Sequence, residues 1–409
     1  MTDPTYFRKG FGLKTDVQGE LATDYDGGLV DLLKTNDYAI TAGSGAQSTT
    51  VRLAREFGFC YGVERAVEYA YQTRKKFPDR RVFLAGEIIH NPHINQKLRD
   101  MGIVFLDHHP SPNGASFDFG LVRPEDVVIL PAFGVTVTDF EQLRQLGCVM
   151  VDTTCGSVLN VWKRVERYAS EGFTALIHGK YYHEETRATA SQAMKYPLGH
   201  YLIVRDIDEA RLVCDFIEGK RSAEEIRTRF LNASSPGFDP IRDLARIGVA
   251  NQTTMLARES LAIGAEVQSA ILRTHGEVYT RDNFRTFDTI CSATQDRQDA
   301  VMALLSEPLD VMVVVGGYNS SNTISLAALC AERVTTYHVE DASCIDPLTG
   351  VIHHRTGQGR TDAETPNWLS SPTPIQVGIT AGASTPNNKI ADTVARIFAT
   401  RGIDPTTIR

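Results

Sequence analysis

Three cysteines of this chain, Cys60, Cys155 and Cys291, share a local context that suits redox or metal chemistry. Each closes a segment that reads as extended, and each is followed by apolar residues at helical spacing. After Cys60 these are Val63, Ala66, Val67 and Ala70. After Cys155 they are Val158, Val161, Trp162 and Val165; after Cys291 a weaker stripe comprises Ala300, Val301, Leu304 and Leu305. Such stripes mark amphipathic helices. A cysteine between a strand end and a helix start lies where α/β sheets present ligands. The unpaired N–H groups and the helix dipole there favour a thiolate. Three thiolates at one centre would hold a metal or an iron–sulfur cluster. Taken singly, each cysteine would read as a packing residue; three in equivalent positions argue otherwise. Cys148, Cys214, Cys330 and Cys344 lack that context and read as packing residues. No CxxC pair is present, and the odd count with long spacings does not suit a disulfide scaffold.

Five further loops at expected strand ends carry side-chain donors. Residues 86–91 hold His90, 178–186 hold His183 and Glu185, and 251–254 hold Thr253. Residues 316–322 hold Ser320, Ser321 and Asn322, and 380–384 hold Ser384. Small residues beside hydroxyls and amides suit close approach to phosphate oxygens. Ordinary turn chemistry would produce any one of them. None matches a Walker A loop or a dinucleotide fingerprint. A His–Glu pair such as His183 with Glu185 can deliver protons.

The elements that position these residues read as alternating strands and helices. Strands are expected at 51–54, 82–84, 127–130, 149–151, 175–177, 202–204, 248–250, 311–315 and 376–379. Several are short apolar runs, as in strands buried on both faces of a parallel sheet. The class is α/β. Residues 1–48 read as an N-terminal extension, with 42–46 as a flexible joint. Three small α/β units follow, at 49–154, 155–290 and 291–409, one per cysteine, arranged about a common centre. Residues 216–242, with a capping box from Ser222 to Glu225, and the polar stretch 343–374 read as surface excursions.

The 409 residues carry 42 Lys+Arg against 50 Asp+Glu, a net charge of −8. That argues against a broad nucleic-acid surface. No apolar run reaches the roughly 18 residues of a membrane helix. The N-terminus lacks the apolar region of a signal peptide, so a cytoplasmic location is expected.

At these residues the sequence resembles the 4-hydroxy-3-methylbut-2-enyl diphosphate reductase family, the last enzymes of the non-mevalonate isoprenoid pathway. The motifs are FGFCYGVERAV, GEIIHNPHIN, VDTTC, HGKYYHEET, ANQTTM, TICSATQDRQDA, VVGGYNSSNT and TAGAS. RKGFG and HGKYYHEET resemble the longer form of cyanobacteria and plastids, and a bacterial source is expected. The resemblance implies three α/β units arranged pseudo-threefold around one [4Fe–4S] cluster, with Cys60, Cys155 and Cys291 as its ligands and one iron open to substrate. It implies His90, His183, Ser320, Ser321, Asn322 and Ser384 as diphosphate ligands. Glu185 is the implied proton source, and Thr253 the implied neighbour of the substrate hydroxyl. The implied reaction is a two-electron reductive dehydroxylation giving isopentenyl and dimethylallyl diphosphate. No flavin or nicotinamide motif is visible, so an external one-electron donor, ferredoxin or flavodoxin, is expected.

Two departures stand out. Phe133 occupies a position where the shorter bacterial form has a histidine, so a phosphate contact there is missing or supplied by another group. Gly156 follows Cys155 where proline is usual, which removes a pre-set φ from the first helical turn. Two other readings remain open: a hydro-lyase using a similar cluster without net redox change, and a non-enzymatic iron–sulfur sensor or scaffold. Dependence on a reductant separates the first; a substrate-sized polar cavity separates the second.

Overall fold

A computed structural model of the chain describes residues 5–108, 117–287, 290–356 and 361–408. The short β-rich apolar runs form strands, and the helices between them make the sheets largely parallel. The fold is α/β, as expected. All nine expected strands are present, most lengthened by a residue or two.

The chain divides into two compact units, each interleaved in sequence. The first comprises Met1–Gly10, Thr73–Ile88 and Arg99–Cys291; the second comprises Phe11–Gln72, Ile89–Leu98 and Ser292–Arg409.

The first unit holds two parallel sheets. One runs Tyr6–Phe7, Val149–Asp152, Val127–Leu130, Val82–Ala85, Ile103–Leu106. Every residue of its Val82–Ala85 and Val127–Leu130 strands is buried, as parallel strands covered on both faces require. The other runs Phe284–Thr286, Ile247–Asn251, Thr174–His178, Tyr201–Val204. Its core is packed by Tyr168, Phe173, Ile177, Val267 and Ile271.

The second unit has one mixed sheet. Thr336–Val339, Val311–Val315, Ile375–Ala381 and Thr49–Leu53 are parallel. Ala39–Ala42 adds an antiparallel strand at one edge, and Val351–Thr356 adds another at the opposite edge. Val313, Ile379, Val394 and Phe398 centre its core.

Sheet membership departs from the order of the sequence. Thr49–Leu53, expected to open the first of three successive units, pairs with Ile375–Ala381 near the C-terminus. The N-terminal segment contains two helices, Lys14–Tyr25 and Gly28–Thr35, besides its two strands. Residues 42–46 are no flexible joint. Ala42 ends the first strand of an antiparallel hairpin and residues 43–46 lie in its connection, where Arg401 donates to the Ala46 carbonyl. The Ser222–Glu225 capping box is formed at the start of Ala223–Arg229. Within 343–374, Val351–Thr356 and Thr361–Pro366 pair as an antiparallel ribbon. Residues 357–360 of that stretch, and 288–289 just before Cys291, lie outside the described residues.

Candidate functional site

The expected site residues fall in both units. Cys155, Cys291, His183, Glu185 and Thr253 belong to the first; Cys60, His90, Ser320, Ser321, Asn322 and Ser384 belong to the second.

In the first unit the Thr174–His178 and Ile247–Asn251 strands pair in parallel, His178 opposite Asn251. Their C-terminal loops therefore emerge side by side. His183 caps the Glu184–Ala193 helix, its Nδ1 accepting the Glu185 backbone N–H at 3.2 Å. That bond places the proton of the neutral ring on Nε2. Glu185 is 3% exposed, and its Oε1 accepts the Thr253 backbone N–H at 2.6 Å. The side chain of Glu184, by contrast, is 42% exposed. Thr253 thus meets Glu185 through its backbone, a link that side-chain reasoning does not anticipate. Gln252, unremarked in the sequence, ties the two loops: its Oε1 accepts Thr186 Oγ1 at 3.0 Å and the Lys180 N–H at 3.2 Å.

Phe133 lies in the loop after Val127–Leu130. Its ring stands edge-on to His183. The same loop accepts the Cys155 N–H at the Ala132 carbonyl, 2.8 Å away. Cys155 is the N-cap of Gly156–Ser170. Cys291 Sγ lies 3.3 Å from Ser157 Oγ, on the first turn of that helix. Two expected cluster ligands therefore lie close together.

In the second unit three loops meet. Ser320 caps Ser321–Ala331. Ser384 Oγ donates to the His90 carbonyl at 3.2 Å and lies 3.4 Å from Ser320 Oγ. Asn91 Nδ2 donates to the Ser384 carbonyl at 2.8 Å. Asn322 Oδ1 accepts the Ala383 N–H at 2.9 Å, and the Cys60 N–H reaches the Ala383 carbonyl at 3.3 Å. Gly382 permits this closeness: a Cβ there would lie 1.9 Å from Thr323 Oγ1. Ser320, Ser321, Asn322 and Ser384 are buried. The Asn322 Nδ2 is buried with no hydrogen-bond partner among the described residues, an unmet donor at the point where the loops meet.

Helices open beside each of these loops, at Tyr61, Pro92, Ser321 and Asn387. Their N-termini carry partial positive charge, although at the Pro92 helix the His93 and Ile94 N–H groups already donate to Asn91 Oδ1 at 3.0 and 3.2 Å. Neutral side chains beside such helix starts can receive an anion without Lys or Arg.

Three of the four cysteines expected to be packing residues are buried, whereas Cys344 is partly exposed. Cys60, Cys155 and Cys291 are partly exposed and form no disulfide. Cys148, Cys214 and Cys330 are buried, and burial pushes their thiols up to about 11, 12 and 12, as suits inert packing residues. Cys344 lies 3.5 Å from the Tyr318 hydroxyl. Arg297, on the Ser292–Leu304 helix, is 3% exposed. Its guanidinium donates to the Gly58 carbonyl at 2.7 Å and to the Ala293 carbonyl at 2.7 Å, with no carboxylate partner among the described residues. A buried cation of this kind, bonded to the carbonyl of Gly58 two residues before Cys60, calls for an anion nearby. A thiolate-ligated cluster is such an anion, so the residues fit that cofactor.

The family model described as LytB protein matches residues 51–398. The 4-hydroxy-3-methylbut-2-enyl diphosphate reductase of Thermosynechococcus vestitus is 46% identical over 399 residues, covering 97% of this chain and 95% of that protein. The reductase of the same name from Gloeobacter violaceus is 45% identical over 406 residues, 98% of this chain and 94% of its own. Among solved structures, the E-1-hydroxy-2-methyl-but-2-enyl-4-diphosphate reductase of Plasmodium falciparum shares the fold, with a TM-score of 0.60 at 20% identity over 84% of this chain and 86% of that one. A structure of (E)-4-hydroxy-3-methyl-but-2-enyl diphosphate reductase, titled the terminal enzyme of the non-mevalonate pathway, gives a TM-score of 0.50 at 27% identity over 85% of this chain and 98% of its own.

Proposed function

Because the chain belongs to the LytB protein family, we propose that it reduces 4-hydroxy-3-methylbut-2-enyl diphosphate to isopentenyl and dimethylallyl diphosphate. The overall change consumes two electrons and two protons. The C4–O bond breaks, one proton leaves with the hydroxyl as water, and the other ends on carbon.

The observation that carries the reading is the buried Glu185 carboxyl, two residues beyond His183 and bonded to the Thr253 N–H. A carboxyl held at a fixed point is suited to proton delivery. Glu185 is the proton source and Thr253 holds it in place. His183 offers Nε2–H to the diphosphate. His90, Ser320, Ser321, Asn322 and Ser384 receive the remaining phosphate oxygens, and the helix N-termini offset their charge.

Cys60, Cys155 and Cys291 would hold a [4Fe–4S] cluster with one iron left open. When bound, that group supplies single electrons and a Lewis acid for the leaving hydroxyl. An external one-electron donor, ferredoxin or flavodoxin, feeds it. No helix among the described residues is long and apolar enough to cross a membrane.

The test is anaerobic turnover of the diphosphate substrate with and without a reduced one-electron dye. Product formation that depends on reductant supports the reading. Conversion at equal rate without reductant supports a hydro-lyase, and no conversion at full cluster content supports a sensor or scaffold.

A further inference from the structure

One residue of the N-terminal segment ties together three helices that open beside proposed site residues. Asp24 lies near the end of Lys14–Tyr25, with its side chain 18% exposed. One carboxylate oxygen accepts the Tyr71 hydroxyl at 2.7 Å; the other accepts Lys97 Nζ at 2.8 Å. Its carbonyl accepts Asn388 Nδ2 at 2.7 Å. Tyr71 lies on Tyr61–Lys76, which opens directly after Cys60. Lys97 lies on Pro92–Asp100, which opens two residues after His90. Asn388 lies on Asn387–Thr400, which opens three residues after Ser384.

The neighbouring residue reinforces the link. The Tyr25 ring packs on Phe59, centroids 5.7 Å apart, immediately before Cys60. Its hydroxyl lies 2.8 Å from that of Tyr71. Further along, Gln72 Oε1 accepts the Phe11 N–H at 2.7 Å, so the segment is anchored to the Cys60 helix at a second point.

A helix is stiff, so restraining its body restrains its first turn. The pocket binds through neutral donors on separate loops, each effective only when all are aligned. We infer that Asp24 is a positioning residue, which sets the mutual placement of the Cys60, His90 and Ser384 loops and thereby the affinity for the diphosphate end of the substrate. The inference rests on the diphosphate reading of that pocket.

The experiment compares cluster-loaded Asp24→Ala, Asp24→Asn and Lys97→Met enzymes with the unaltered protein. It reads KM, kcat, iron content and the dissociation constant for inorganic diphosphate. Asp24→Ala is expected to raise KM and the diphosphate dissociation constant about tenfold, the loss of roughly one charged hydrogen bond's worth of alignment, with kcat within about threefold. Asp24→Asn keeps an acceptor for Tyr71 but loses the ion pair, so its effect falls between. If Asp24→Asn and Lys97→Met act through one link, the double variant is no worse than the more affected single variant. A purely structural role would lower the melting temperature and leave KM and diphosphate affinity unchanged, which overturns the inference. If Asp24→Ala does not fold, the half-exposed Lys97→Met variant carries the same test. If the unaltered enzyme fails to turn over substrate, the reductase reading fails; diphosphate binding then decides the positioning role alone, equal affinity in Asp24→Ala overturning it and a tenfold loss supporting it.

Discussion

The ring of Phe133 stands edge-on to the imidazole of His183, the centroids 6.2 Å and the planes 77° apart. With the Glu185 N–H at Nδ1, the histidine is held from two sides. The loop carrying Phe133 is itself constrained. Gly134 has a φ of +74°, and a Cβ there would lie 2.4 Å from the Trp162 ring. If His183 is a diphosphate donor, as proposed, the phenylalanine that stands where a histidine is expected supports a donor instead of being one. Phe133→Leu, which removes the ring edge, should raise KM about two- to tenfold, the value of one aromatic pair, and change kcat little. Steady-state kinetics decide it: an unchanged KM would mean that the ring only fills space.

Cys60→Ser, Cys155→Ser and Cys291→Ser should each lose iron and activity, because each partly exposed thiol precedes a helix. Cys214→Ser, inside the hydrophobic core of the first unit, should keep full iron content. Iron and sulfide analysis of anaerobically purified protein reads the difference. Full iron in Cys155→Ser would rule out the three-cysteine ligand set.

Asn322→Ala removes both the acceptor for the Ala383 N–H and the unpartnered Nδ2 donor. Each is worth about a factor of five to ten, so KM should rise by on the order of tenfold or more. Inorganic diphosphate should weaken in parallel, as titration calorimetry can show. A fall in kcat alone would remove Asn322 from the diphosphate contacts.

His178 and His338 make stability depend on pH. Burial lowers both to about 4 from an ordinary 6.5. Between those values the unfolded chain binds the extra protons, so stability rises with pH across this window and levels off above about 6.5. Falling from pH 6.5 towards 4, up to two protons are taken up on unfolding, a slope of up to about 2.7 kcal/mol per pH unit. His338→Gln retains a donor for the Gly316 carbonyl, which His338 Nε2 bonds at 2.9 Å. Its slope should be lower by about half. Denaturant unfolding at several pH values measures this, and an unchanged slope would show that His338 is protonated in the fold.

Much of this was legible in the sequence because buried parallel strands are written as apolar runs. Val311–Val315 and Val127–Leu130 are of this kind, and the cysteine-then-helix pattern located Cys155 at a helix N-cap. Thr336–Val339 does not read as a strand because TYHV carries two polar residues, although His338 is buried. Val351–Thr356 and Thr361–Pro366 are hidden for a related reason: such a ribbon alternates more and less exposed residues and reads as polar. The bond between Glu185 and the Thr253 N–H leaves no trace in side-chain identity. Nor does the role of Asp24, whose partners lie 47, 73 and 364 residues away. Long-range pairings of this sort follow from topology and not from local pattern.

The most direct test of the account is single-turnover product formation by cluster-loaded Glu185→Gln under reducing anaerobic conditions. The amide keeps the size and the Thr253 bond but has no proton to transfer. The account predicts full iron content, near-normal substrate binding and a rate lower by about a hundredfold or more, with Glu184→Gln unaffected. Wild-type turnover in Glu185→Gln would contradict it.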